Sequence, residues 1–136
     1  MEKVEVFNQF GRLLLTLEAD KDGQVLLAHW QGHFNIENVR AGFEKIEEAI
    51  KKHKFNKLLL NNKNVMGYQI EVNPWIKENF FQSAAQIGLK QVAAFSSDNI
   101  SVEFGSRDLA QVSSNTLNYK HFYSLREAEN WLRTFK

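Results

Sequence analysis

The sequence contains no cysteine, and this absence excludes several kinds of chemistry together. Disulfide bonds, thiolate nucleophiles and thiolate metal ligands are all ruled out. A chain without disulfides suits a reducing compartment, so we expect a cytoplasmic location. The segment from Met1 to Val6 alternates charged and apolar residues and lacks the continuous apolar core of a signal peptide, which favours the same location.

An excess of charge of either sign is also lacking. The chain has 17 basic and 16 acidic residues, a formal net charge of +1, and no long block of one sign. Nucleic acids and anionic membranes normally recruit a concentrated basic face, so we expect neither as a partner. No apolar run approaches the length of a membrane span, and we therefore expect no membrane insertion.

What the sequence does have is a large apolar and aromatic fraction. Hydrophobic residues make up 43% of the chain and aromatic residues 12%, including 11 Phe and 3 Trp. This composition is typical of a globular protein with a well-formed core. A chain of 136 residues has the size of one domain, so we expect residues 1–136 to fold as a single unit.

The order of the central segments predicts a parallel sheet. Lys57–Asn61 and Gln91–Phe95 are apolar and strand-like, and an amphipathic helix opens between them at Asn73–Trp75. A parallel strand pair needs a crossover of this kind, usually a helix. The sequence therefore predicts an α/β fold in which βαβ units build the sheet.

The amino-terminal third predicts antiparallel strands instead. Two apolar-rich segments, Arg12–Ala19 and Gln24–Trp30, are separated by Asp20–Gly23, and Val4–Phe7 is a further extended piece. An Asp-Gly pair in a short polar break is a strong hairpin signal, because glycine accepts the positive φ that the turn requires. We expect a mixed sheet of four to five strands, with the antiparallel hairpin first and the parallel units after it.

Three amphipathic helices are predicted to pack on this sheet. The first follows Asn35 and carries the apolar stripe Ile36, Val39, Phe43, Ile46 and Ile50. The second begins near Pro74 with Asn73 as its cap, stops at Gly88 and carries Trp75, Ile76, Phe80, Ala84 and Ile87. The last follows the strand Leu117–Tyr123, starts at a Ser124–Glu127 capping box and carries Leu125, Ala128, Leu132 and Phe135. Between the second and the last of these helices, Ser96–Thr116 suggests only a short or broken helix.

Catalytic and metal-binding motifs are weak. His29 and His33 would face the same side of a continuing strand and could offer two imidazoles to a metal, but a third ligand is not evident, and a structural role is favoured. Ser106 follows Gly105 but lacks the second flanking glycine of a nucleophile turn, and the glycines are too scattered for a phosphate-binding loop. We therefore predict no catalytic residue, no metal and no cofactor.

One edge of the predicted sheet gathers polar side chains. Loops that follow parallel strands emerge at the same edge, where open α/β sheets usually place ligands. A polar loop is predicted there from Asn61 to Tyr68, and its side-chain amides could bind a ligand or a partner backbone. Asparagine is also common in turns, and a purely structural role in the turn is the favoured interpretation. Met66, Tyr68 and Trp75 could add an apolar surface, or Trp75 could belong to the core. The candidate binding residues are Asn61, Asn62, Lys63, Asn64, Met66, Tyr68, Trp75, Ser96 and Ser97, with His33 and Asp98 at the same edge.

Three segments resemble the SpoIIAA-like group of small proteins, also described as STAS/SEC14-type domains. They are Leu58–Asn61, Gly88–Ala93 and Glu127–Leu132, taken together with the order of the elements. The resemblance implies a mixed sheet with helices packed on it and no catalytic apparatus. Relatives called anti-sigma-factor antagonists carry a phosphorylatable Ser or Thr at the helix start after the central strand. This chain has no Ser or Thr between Thr16 and Ser83, so that switch is not carried over.

The leading hypothesis is a cytoplasmic, non-enzymatic module that binds another protein or a small ligand through the edge from Asn61 to Tyr68. A carrier of a small apolar ligand or lipid is the alternative, and it would need a real cavity between the sheet and the helices. An enzyme of unknown type is the third reading. The sequence leaves the oligomeric state open, and a homodimer is compatible with it.

Overall fold

The computed structural model describes residues 1–96 and 117–135. The short helix expected within Ser96–Thr116 falls almost wholly outside these residues, as do Ser97 and Asp98. Among the described residues, no helix has both the length and the apolar character needed to cross a membrane.

The described residues form a mixed sheet whose strands lie side by side in chain order. The first two pairings are antiparallel and the remaining three are parallel, as predicted. The expected strand number of four to five was wrong, because Val4–Phe7 pairs with the next strand and becomes the edge of a six-stranded sheet. The strands are β1 Val4–Phe7, β2 Leu13–Ala19, β3 Val25–Phe34, β4 Lys57–Tyr68, β5 Gln91–Phe95 and β6 Asn118–Phe122.

The hairpin between β2 and β3 forms where the Asp-Gly signal predicted it. The Asp20 carboxylate accepts hydrogen bonds from the backbone N–H groups of Gln24 at 2.8 Å and Val25 at 3.1 Å. Gly23 adopts a positive φ of 71°, which a residue with a Cβ would adopt only at a cost. The turn is therefore specified by its own residues.

Helix α1, Ile36–His53, also follows its local signals. The Asn35 side chain accepts a hydrogen bond from the N–H of Asn38 at 2.8 Å and caps the first turn. Lys54 ends the helix in the left-handed conformation, and its N–H donates to the Ile50 carbonyl. Of the predicted stripe, Ile36 is half-buried, and the four residues Val39, Phe43, Ile46 and Ile50 are buried.

The second helical region is less regular than predicted. It consists of α2 Val72–Trp75, a π-helical turn Ile76–Phe80 and α3 Phe81–Gln86. Asn73 is not the cap, because the helix already begins at Val72 and Asn73 is buried in its first turn. Pro74 is tolerated there because the first-turn N–H groups have no helical acceptor. The predicted stop at Gly88 is confirmed by its positive φ of 111°.

Helix α4, Leu125–Arg133, closes the described structure. The Ser124 hydroxyl accepts a hydrogen bond from the N–H of Glu127 at 3.3 Å, which confirms the predicted start. Ala128 and Leu132 are buried as expected, but Leu125 is 37% exposed. Its predicted burial was wrong, because the first three residues of α4 are all exposed and the buried stripe begins only at Ala128.

The helices divide between the two faces of the sheet. Helices α1, α2 and α3 cover one face, where a large core is built around the aromatic side chains of Trp30, Phe43 and Phe80. Helix α4 packs on the other face, where Ala128 and Leu132 contact a smaller apolar cluster. This cluster does not extend to His29 or Asn61, which remain half-exposed on the second face.

Candidate functional site

The segment from Asn61 to Tyr68 is a strand and not the loop that its composition predicted. Strand β4 continues to Tyr68 and stays paired with β3 as far as Phe34. The pairing of β4 with β5 stops at Asn61, and the register of β2 with β3 stops at Trp30. Two segments therefore extend together beyond their neighbours, and we call this pair, Gln31–Phe34 with Asn62–Tyr68, the ribbon. Pairing with β3 overrides the weak strand propensity of the asparagines.

Two bulges in β4 decide which side chains of the ribbon are exposed. From His29 to Gln31 the partner shifts from Asn61 to Asn64, and between Gly32 and His33 it shifts again, so that β4 has two extra residues. Bulges break the alternation of side chains between the two faces. As a result, Lys63 and Asn64 are consecutive and both exposed, whereas Asn62 and Val65 are buried on either side of them.

The ribbon and the turn between β1 and β2 border an open groove with a volume of about 1470 Å³. Strand β3 lies between β2 and β4 in the sheet and forms the floor of the groove. Strand β4 forms one wall, and the turn with the start of β2 forms the other. The lining residues are Asn8, Phe10, Arg12, Leu13, Leu14, Gln31, Gly32, His33, Lys63, Asn64, Val65 and Met66.

The turn that forms one wall is held by hydrogen bonds. The Asn8 side-chain oxygen accepts from the backbone N–H groups of Phe10 at 2.8 Å and Arg12 at 3.0 Å. The backbone N–H of Asn8 donates to the Arg12 carbonyl at 2.8 Å, and Gly11 adopts a φ of 78°. Phe10 therefore stands out from an ordered turn with 79% of its surface exposed. Exposed aromatic side chains on ordered backbone are frequent anchors in protein interfaces.

The two histidines of the metal hypothesis have different neighbours. His29 Nδ1 lies 3.0 Å from the Asn61 amide nitrogen, and its Nε2 lies 3.9 Å from a Glu18 carboxylate oxygen. The Asn61 oxygen accepts from the N–H of Lys63, so the amide presents its NH2 group to His29 Nδ1, which accepts. His33 instead packs over Gly67, where a Cβ would lie 2.9 Å from its Nδ1. The described residues contain no group of three side chains suited to a metal ion.

The predicted binding residues separate into several places. Lys63, Asn64 and Met66 line the groove together, and Asn61 lies beside His29 on the sheet. Asn62 has no exposed surface, so its assignment as an exposed loop residue was wrong. Tyr68 and Trp75 are half-buried against the main core, with the Trp75 ring centroid 6.0 Å from that of Phe43.

Ser96 lies outside the groove, at the end of β5. Its hydroxyl is in hydrogen-bond contact with His121 Nε2, and its backbone N–H donates to the Phe122 carbonyl at 3.2 Å. A serine beside an imidazole is the arrangement of an activated nucleophile. Ser96 is, however, only 1% exposed, and a substrate could not reach its hydroxyl in this conformation.

The sequence did not single out the groove residues Asn8, Phe10 and Arg12. A signal was present, because a phenylalanine next to glycine in the polar segment Asn8–Gly11 indicates an exposed aromatic in a turn. What the sequence could not provide was the position of this turn across β3 from β4, a strand that follows about fifty residues later and comes close only in the folded sheet.

The comparisons with known proteins agree with this architecture. An uncharacterised Shewanella loihica protein with a SpoIIAA-like fold has a TM-score of 0.61 and 18% identity over 87% of this chain and 91% of its own. A candidate anti-sigma factor antagonist from Thermotoga maritima has a TM-score of 0.60 and 19% identity over 86% and 92% of the two chains. The anti-sigma factor antagonist SpoIIAA in its unphosphorylated form has a TM-score of 0.57 and 12% identity over 88% and 97%.

At these identities the structural likeness shows the fold alone. No curated protein sequence matches the chain. The SpoIIAA-like family profile, in contrast, matches residues 25–133, which is most of the sequence and includes β3, β4 and all the helices. The chain belongs to the SpoIIAA-like family.

Proposed function

We propose that this chain is a cytoplasmic, non-enzymatic module, with residues 1–136 acting as one domain, that binds a partner protein through the groove. The observation that carries the proposal is the pair of large apolar side chains on opposite walls of the groove. Phe10 is 79% exposed on a hydrogen-bonded turn, and Met66 is 65% exposed at the second bulge of β4. Apolar side chains grouped in a depression with a polar rim are typical of protein interaction sites.

Two of the structural neighbours support a protein partner by their names. One is described as an anti-sigma factor antagonist and the other as a candidate for that role, which is a description of action on another protein. A phosphorylation switch is not part of the proposal. The segment that links β4 to α2, together with α2 itself, spans Gln69–Trp75 and contains no Ser or Thr.

The two other readings have less support. A lipid or apolar-ligand carrier needs space between sheet and helices, but Trp30, Phe43 and Phe80 fill this layer with ring centroids 5.0 Å and 4.3 Å apart. The depression beside α4 has a volume of about 340 Å³, at the low end for small-ligand sites. For an enzyme, the nearest arrangement is the contact between Ser96 and His121, and burial of Ser96 argues against it.

A pull-down from native cytoplasm tests the proposed function. The tagged parent chain is compared with Phe10→Ala, with Met66→Glu, and with the control Ile70→Ala, which is 83% exposed and outside the groove lining. We expect the parent and the control to recover the same partner and both groove variants to lose it. Melting temperatures verify that each variant is folded. Equal recovery by all four chains, or recovery of nothing by the parent, would overturn the proposal.

A further inference from the structure

We infer that the groove binds an extended acidic segment of the partner protein, whose apolar side chains lie between Phe10 and Met66. This inference rests on the function proposed above and adds the chemistry of the partner. Three independent features of the groove carry it: the sign of its charge, the arrangement of its walls, and the exposed edge of β3 at its floor.

The charge of the groove has one sign. Arg12 and Lys63 line it, and the lining contains no Asp or Glu side chain. Both side chains are exposed, and within the described part of the chain neither forms an ion pair. The chain as a whole carries a net charge of only +1, so this local surplus is not a consequence of composition. A ligand with carboxylates is complementary to the groove.

The two walls present similar exposed side chains. One wall carries Phe10 and Arg12, two residues apart in the turn, and the other carries Lys63 and Met66 in β4. Each wall therefore offers one large apolar side chain and one cation. A segment with interleaved acidic and apolar residues would match the walls, because each wall carries a cation beside an apolar side chain.

The floor offers backbone groups to such a segment. The register between β2 and β3 ends at Trp30, and no other described strand pairs with that edge of β3 along Gln31–His33. Gly32 has open space where a Cβ would stand, so another backbone can approach closely. Addition of a strand to an exposed sheet edge is a recurrent mode of peptide recognition, and pockets beside the edge supply the specificity.

The same features argue against a nucleic acid as the occupant. Nucleic acids require several cations along a phosphate backbone, and two cationic side chains interrupted by apolar walls are a poor match.

The wall containing Phe10 and Arg12 lies before residue 25, outside the part of the chain that matches the family profile. The predicted specificity therefore depends on residues that the family match does not cover.

Selection from a random dodecapeptide library displayed on phage, with the full chain as bait, tests the inference. We expect the selected peptides to be enriched in Asp and Glu interleaved with Leu, Ile or Phe. The best peptide, labelled with fluorescein, is then titrated with parent and variants and followed by anisotropy. Enrichment of basic peptides, or no enrichment over the unselected library, would overturn the inference.

The variants give quantitative expectations. Neutralising Arg12 or Lys63 by substitution with Gln should raise Kd about two- to fivefold each, the usual range for exposed ion pairs, and added salt should reduce the difference. Phe10→Ala should raise Kd about tenfold or more if Phe10 is the anchor. Lys51→Gln, an exposed lysine of α1 outside the groove lining, is the matched control and should leave Kd unchanged.

The two proposals fail in different ways. If the pull-down partner is lost with Phe10→Ala, but Arg12→Gln and Lys63→Gln bind the selected peptide with the Kd of the parent, the groove binds a protein and the acidic-segment inference is wrong. If Phe10→Ala also retains the partner, the proposed function itself is wrong. Asn8→Ala adds a further check, because loss of its two hydrogen bonds should loosen Phe10 and Arg12 and weaken the peptide without changing the charge.

Discussion

Gly42→Ala tests the packing of α1 against β3, because two effects of opposite sign compete at this position. Alanine is favoured over glycine in a helix interior by about 1 kcal/mol. A Cβ at Gly42 would lie 2.5 Å and 2.7 Å from two ring carbons of Trp30 and 3.3 Å from a methyl group of Leu15. Trp30 is 1% exposed and is held between Phe34 and Phe43, with ring centroids 5.2 Å and 5.0 Å away.

The ring of Trp30 therefore has little room to move, and overpacking of a core costs about 1–3 kcal/mol. Subtracting the helix-propensity gain leaves a net destabilisation of about 0–2 kcal/mol for Gly42→Ala. Urea denaturation followed by circular dichroism measures it. The control is Ala41→Gly at the neighbouring exposed position of α1, which should cost about 1 kcal/mol by propensity alone. A Gly42→Ala variant more stable than the parent by about 1 kcal/mol would show that Trp30 yields freely and refute the reasoning.

Further variants test the core, the cap and the buried polar groups by the same denaturation assay. Phe43→Ala should lower stability by about 3–5 kcal/mol, and a loss below about 1 kcal/mol would contradict its burial. Ser124→Ala should cost about 1 kcal/mol by removing the cap of α4, and no measurable loss would mean that the cap contributes nothing. Asn62→Ala should cost about 1–3 kcal/mol because its side chain is buried, whereas an unchanged midpoint would restore its assignment as an exposed residue. Burial raises the pKa of Tyr119, so the unfolded chain loses the phenol proton at a lower pH than the folded chain does, and stability should fall above pH about 10. Tyr119→Phe should remove part of that fall. Identical pH profiles of stability for parent and variant would contradict the reasoning.

The elements that were predictable from sequence are those that their own residues specify. Asn35 and Ser124 cap helices through hydrogen bonds to residues three positions away, and Asp20 closes the hairpin through its neighbours. The stripe around Phe43 is equally local, because helical spacing alone puts its members on one face. Signals that act between residues three to five positions apart can be read without knowledge of the rest of the fold.

The continuation of β4 was not predictable in the same way. Asparagine favours turns, and the run from Asn61 to Asn64 therefore indicates a loop when it is read alone. In the structure this run is a strand because β3 lies beside it, and that pairing joins segments separated by the whole of α1. The π-helical turn Ile76–Phe80 likewise has no local signal that we can identify.

The candidate site was predictable only in part, because one of its walls comes from a distant part of the chain. Lys63, Asn64 and Met66 were selected because they follow the central strand, and they do line a common groove. The opposite wall, with Phe10 and Arg12, comes from a turn near the amino terminus. Its place in the groove depends on the pairing of β1 with β2, so no pattern near Lys63 could reveal it.

The two bulges of β4 make the lining of the groove depend on chain length as well as on residue type. Deleting Lys63 or Asn64 while both bulges stay in place would shift every later position of the strand to the opposite face. Met66 would then turn toward the core and Val65 toward solvent, with no change in composition. In homologous chains, a one-residue gap within this segment would therefore change which side chains face the groove.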